Sequence, residues 1–230
     1  MGVFLFFFSI LTALALPTSV YSQAKSNPID IIIGEPDFSN LPVGSGEIPS
    51  ARPDDYRQAL ISEFGITMNG FSSDNYLWAW EFMHKVSNTR FPGYVAGTQV
   101  GVDNSGSWMS GCKSIFLRST YNTRDLFTIV FAHELGHVVY HCSEGGSSVR
   151  RKAHLDALAA EGPLTPYSTN LCYYSSPGAY ERETENFAEL IAYYLNPNIT
   201  AQTGCGSGPN PYSGGANPLQ YQVAREILGG

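Results

Sequence analysis

The stretch FTIVFAHELGHVVYHC, residues 127–142, constrains the fold more than any other part of the chain. Leu126, Phe127, Ile129, Val130, Phe131, Leu135, Val138 and Val139 leave no broad polar face, so a helix here has to be buried on all sides. Yet the same helix carries His133, Glu134, His137 and His141. Burying such groups without partners is strongly unfavourable, so whatever surrounds this helix must satisfy them. A single core histidine with a hydrogen-bond partner accounts for one of these groups, but not for the spacing of the set.

His133 and His137 are four residues apart, which puts both rings on one face of a helix, one turn from each other. Two imidazoles so placed can reach one zinc ion at about 2.0–2.1 Å. Glu134 then flanks the open position of the metal, where it can take a proton from water. This is the His-Glu-x-x-His signature. Gly136 sits in the middle of the helix at a cost of about 1 kcal/mol relative to alanine, which predicts close approach of another element at that point. His141 lies two turns beyond His133, about 12 Å along the axis at a rise of about 1.5 Å per residue, so on a straight helix it cannot share the metal. His84 and His154 stand in no motif and read as ordinary surface or core histidines.

A catalytic zinc site needs a third protein ligand. The segment AYERETENFAELIAYYLNP places Phe187, Leu190, Ile191, Tyr194 and Leu195 on one stripe, an amphipathic helix stopped by Asn196-Pro197. Glu185 and Glu189 lie at i, i+4 beside that stripe, where like charges repel unless a cation compensates. One carboxylate of the pair could bind zinc, while the other orients a ligand histidine through its second ring nitrogen. Glu181 and Glu183 are the alternatives, as part of a solvated acidic edge or as ligands in place of Glu185.

The rest of the chain supplies the setting. Residues 1–22 carry no charged side chain and include an apolar run from Val3 to Leu16, the pattern of a secretory signal peptide cleaved after Ser22. That predicts an exported protein with no stable membrane anchor once the signal is removed. Residues 23–52 read as an extended arm or short pro-segment, and 53–230 as one mixed α+β domain without internal repeats. Helices are expected in PDDYRQALISEFG, SSDNYLWAWEFMHKVSN and LQYQVAREIL, and strands in YVAGTQVGVD and CKSIFLRST around a turn-rich NSGSWMSG. Cys112, Cys142, Cys172 and Cys205 suggest two disulfides, with three connectivities open. Asn198 begins an Asn-Ile-Thr glycosylation sequon. A net charge of −7 and a single basic run, Arg150-Arg151-Lys152, read as a solvated loop, disfavour nucleic acid as a partner.

HELGH followed by a tyrosine upstream of Glu-x-Phe-Ala-Glu resembles the glutamate-ligand zinc peptidases, the gluzincins. Within them it is most similar to the branch of the anthrax lethal factor catalytic domain and the secreted Pro-Pro endopeptidases. The resemblance covers roughly residues 110–195. It implies a zincin-like fold, with a small mixed sheet, the His-Glu-x-x-His helix and a second ligand-bearing helix. It further implies one zinc per chain held by His133, His137 and Glu185, with Glu134 as general base and Glu189 behind a ligand histidine. In that family a tyrosine seven residues before the ligand glutamate stabilises the oxyanion. Gly178 holds that position here, so Tyr180 is the candidate, with Tyr173 and Tyr174 as alternatives. The edge strand that pairs with substrate backbone in such enzymes is expected in KSIFLRS. These readings together predict a secreted zinc metallopeptidase, an endopeptidase acting on peptide or protein substrates. The competing readings are a secreted, non-catalytic zinc-binding effector or inhibitor module on the same fold, and a disulfide-stabilised structural protein without metal.

Overall fold

The computed structural model describes residues 46–142, 148–170, 178–199, 201 and 210–229, all within one unit, Glu35–Gly230. The expected signal peptide, residues 23–45 of the arm, Cys172, Cys205, Tyr173 and Tyr174 lie outside the described residues.

Asp55 opens helix α1 (Tyr56–Phe64) by accepting the backbone N–H groups of Arg57 and Gln58 at 2.9 and 3.1 Å. Gly65, at φ 68°, closes it in the left-handed conformation that glycine adopts without strain. After the short strand β1 (Thr67–Met68), Ser72 caps α2 (Ser73–Lys85) through Asn75 N–H at 3.2 Å. Ala79, Trp80, Phe82 and Met83 turn the inner side of α2 into the core. Three of the expected helices therefore stand nearly where their caps and stops put them: α1, α2 and the last, α8 (Pro218–Leu228).

The expected strand YVAGTQVGVD is shorter than its composition suggests. Its first residues belong to α3 (Phe91–Val95), where Pro92 sets a helical φ in the first turn, and only Gln99–Val102 form β2. β3 (Trp108–Met109) falls inside the segment expected to be turn, and β4 (Ser114–Leu117) inside CKSIFLRST. The sheet order is β1-β2-β4-β3, with β1, β2 and β4 parallel and β3 antiparallel to β4. This corrects the choice of edge strand. β4 pairs on both sides, and its Ile115 and Leu117 are buried; the outer strands are β1 and β3, and β3 is the one whose residues line the cleft described below.

Helix α4 (Arg124–Cys142) is the centre of the molecule, packed against α2, α3, β4 and a later helix, α7 (Ala179–Leu195). Glu81 of α2 takes Arg124 at the start of α4 on one carboxylate oxygen (2.5 Å) and Arg52 on the other (2.9 Å). Arg52, from the end of the expected arm, thus packs onto the fold. Cys112 and Cys142 are disulfide-bonded, with Cα atoms 5.6 Å apart, joining the β3–β4 turn to the last residue of α4.

Between α4 and α7 lie α5 (Ser148–Glu161) and the short α6 (Pro166–Asn170). The run Arg150-Arg151-Lys152 is therefore helical, not looped. The inward stripe of α5 consists of Ala153, His154, Ala157 and Leu158 rather than large apolar residues, which is why its period is faint in the sequence. Glu161 at its end accepts the N–H groups of Leu219 and Gln220 at 2.7 and 3.0 Å, satisfying the first turn of α8. No helix among the described residues is long and apolar enough to cross a membrane.

Candidate metal centre

α4 and α7 meet along matched faces. His133, Gly136, His137 and Tyr140 follow i, i+3, i+4, i+7 on α4, and Glu185, Ala188 and Glu189 follow i, i+3, i+4 on α7. Gly136 is the point of closest approach: a β-carbon there would sit 2.9 Å from Ala188 Cα and 3.0 Å from its carbonyl oxygen. The mid-helix glycine has the packing role expected of it. A side chain there would push the two helices apart and spread the histidines and glutamates.

The candidate ligand atoms converge as a consequence. Glu185 Oε2 lies 3.1 Å from His133 Nε2 and 3.4 Å from His137 Nε2, and one ligand atom from each of the three residues falls within a 4.8 Å set. The two imidazoles stand nearly perpendicular, ring centres 4.9 Å apart. On the other side of His133, Nδ1 is 2.8 Å from Glu189 Oε1. Glu189 is fully buried, and His133, His137, Glu134 and Glu185 are nearly so.

Electrostatics within this cluster are severe. Burial opposes protonation of His133, but the hydrogen bonds and charges of Glu185 and Glu189 outweigh it and raise its pKa well above the ordinary value. Burial also works against ionisation of Glu185, yet the charges and hydrogen bonds of His137 and His133 hold its carboxyl well below the usual carboxylate range. Burial pushes Glu134 upward, opposed by His137 and His133 and assisted by Glu185. Glu134 Oε2 is buried with no hydrogen-bond partner. Three buried carboxylates beside two histidines, one carboxylate oxygen unpaired, form a donor set that a divalent cation and its water would neutralise and satisfy. Two imidazole nitrogens and one carboxylate oxygen make up the three-ligand set of a catalytic zinc site. These residues fit the ion.

The cluster forms one wall of a cleft of about 730 Å³. Leu126 and Val130 of α4 supply apolar lining, Trp108 and Met109 of β3 form part of its rim, and Tyr167 of α6 stands 5.8 Å from the His133 ring, centre to centre. Tyr167 was not singled out by sequence, since no motif surrounds it. Tyr180 is 52% exposed and outside the described lining, with its hydroxyl 3.3 Å from His141 Nδ1. His141 is exposed at the cleft and its ring stacks at 6.4 Å on His137, away from the ligand set.

The remaining candidates have other partners. Glu181 accepts the backbone N–H of Gly178 at 2.9 Å and caps α7. Glu183 is held by Arg151 of α5 through two hydrogen bonds, 2.6 and 3.0 Å, and by the Tyr140 hydroxyl of α4. His84 pairs with Glu63 at 2.7 Å. His154 is fully buried and accepts from Asn186 Nδ2 at 3.1 Å. Asn198 is exposed. No protein-family model, curated protein or solved structure matches this chain.

Proposed function

We propose that this protein is a secreted zinc-dependent peptidase, and an endopeptidase of the gluzincin type. The observation that carries the reading is the convergence of His133 Nε2, His137 Nε2 and Glu185 Oε2 beside the unpaired carboxylate oxygen of Glu134, inside an open cleft. His133, His137 and Glu185 would hold one zinc ion. When bound, zinc acts as a Lewis acid that polarises a carbonyl oxygen and acidifies water.

The chain's own residues do the rest. Glu134 Oε2 accepts the proton of the attacking water and returns it to the leaving amine nitrogen. Its environment suits that role, because its Oε2 is buried at the cluster with no hydrogen-bond partner of its own. Glu189 accepts from Nδ1–H of His133, which leaves the Nε2 lone pair directed at the ligand position and strengthens the ring as a donor. Leu126 and Val130 limit water around the reacting carbonyl. Tyr180, from the family pattern, and Tyr167, from its place beside His133, are the candidate donors to the oxyanion. β3, outermost in the sheet and at the cleft, offers main-chain groups to an extended peptide. The Cys112–Cys142 bond agrees with an oxidising compartment and supports the export reading.

The test is incubation of purified protein with a peptide library, with and without a zinc chelator, followed by mass spectrometry. Chelator-sensitive internal cleavage is expected. A protein that carries stoichiometric zinc and cleaves nothing would instead be the non-catalytic module.

A further inference from the structure

We propose that Arg118 makes the cleft selective for a substrate carboxylate, either an acidic side chain or the free C-terminus of a short peptide. The inference rests on the peptidase reading and deepens it by naming a substrate class. Arg118 follows β4 directly and lines the same cleft as His133, Glu134 and Glu185. Among the described lining residues it is the only lysine or arginine.

Its charge acts on Asp103 through space, but among the described residues no carboxylate hydrogen-bonds the guanidinium. One guanidinium nitrogen, NH2, donates to the Ser105 carbonyl at 2.9 Å, while Nε is buried with no hydrogen-bond partner. The nearby acid, Asp103, is engaged elsewhere. Its Oδ1 accepts from Ser105 N and Oγ at 2.8 and 2.6 Å, and its Oδ2 accepts from Trp108 Nε1 at 2.8 Å. In the open cleft, water solvates the remaining donors of Arg118. A peptide that covers the cleft removes that water, and a neutral peptide then leaves a desolvated cation behind. A peptide bearing a carboxylate at this point supplies the counter-charge, and the planar guanidinium fork matches a carboxylate geometrically.

The experiment uses matched peptide pairs: Glu against Gln at each position in turn, and a C-terminal acid against its amide. Calorimetric binding to the zinc-loaded Glu134→Gln protein and kcat/KM of the wild type are both read. One matched pair should favour the carboxylate by about tenfold or more. Whether that pair is a Glu/Gln pair or the acid/amide pair identifies the source. In Arg118→Gln the ratio should fall toward one while the neutral member binds no more weakly than before, and Arg118→Lys should keep part of the preference. A purely structural role through Ser105 would weaken both members alike and would overturn the proposal. So would the absence of any preference, or a preference that survives Arg118→Gln, which would place the carboxylate on the metal centre. If the wild type cleaves none of the peptides, the peptidase reading fails, and the binding ratios still decide the role of Arg118.

Discussion

Glu189 Oε1 stands 2.8 Å from Nδ1 of His133, while Nε2 of the same ring faces Glu185 at 3.1 Å. A fully buried carboxylate therefore holds the back of a candidate ligand histidine and fixes the angle of its ring. Glu189→Gln keeps an acceptor of the same shape and removes the charge. Zinc affinity, measured by competition with a chromophoric chelator, should fall by about 10–100-fold with the fold intact. Unchanged affinity would mean that Glu189 contributes nothing to the site.

The contact of Gly136 with the Ala188 backbone gives a second expectation, because two effects oppose each other there. Alanine is the better helix former by about 1 kcal/mol. A β-carbon at 2.9 Å from a backbone atom, however, cannot be relieved by a side-chain rotation. Overpacking of this kind costs about 1–3 kcal/mol, so Gly136→Ala should be net destabilising in thermal or denaturant unfolding. Because the shift would separate the helices that carry the candidate ligands, zinc affinity should drop as well. A variant more stable than wild type would show that the helices have room to spare.

His154 controls part of the acid response. Burial lowers its pKa from the ordinary 6.5 to about 4, with only the charge of Glu183 acting the other way. Between those values the unfolded chain binds a proton that the folded chain does not, so stability is lost as pH falls from about 6.5 to 4. The shift corresponds to up to about 3 kcal/mol. Metal-free wild type should therefore lose more stability over this range than metal-free His154→Gln, in which the amide oxygen can still accept from Asn186. Parallel curves for the two proteins would remove His154 from the acid response.

Much of the site was legible in the sequence because helix periodicity fixes which side chains share a face. His133 with His137 and Glu185 with Glu189 are both i, i+4 pairs, and the structure sets the two pairs against each other. Gly136 announced the close contact through its cost in a helix. What was not legible has no period to read. β3 is two residues long inside a Gly/Ser-rich turn, so the outer strand at the cleft was expected one strand too late in the chain. α5 buries alanines and a histidine in place of an apolar stripe. Tyr167 and Arg118 reach the cleft only through tertiary packing, and nothing in their neighbouring residues marks them.

The most direct measurement of the central claim is the zinc content and peptide cleavage of Glu134→Gln beside the wild type. Glu134 is buried beside the cluster but is not one of the three residues, His133, His137 and Glu185, that could hold a metal. The variant should keep one zinc per chain, lost only on replacing a ligand such as His133, and its kcat should fall by roughly 10²–10⁴-fold. A Glu134→Gln protein that cleaves peptides at the wild-type rate would contradict the account.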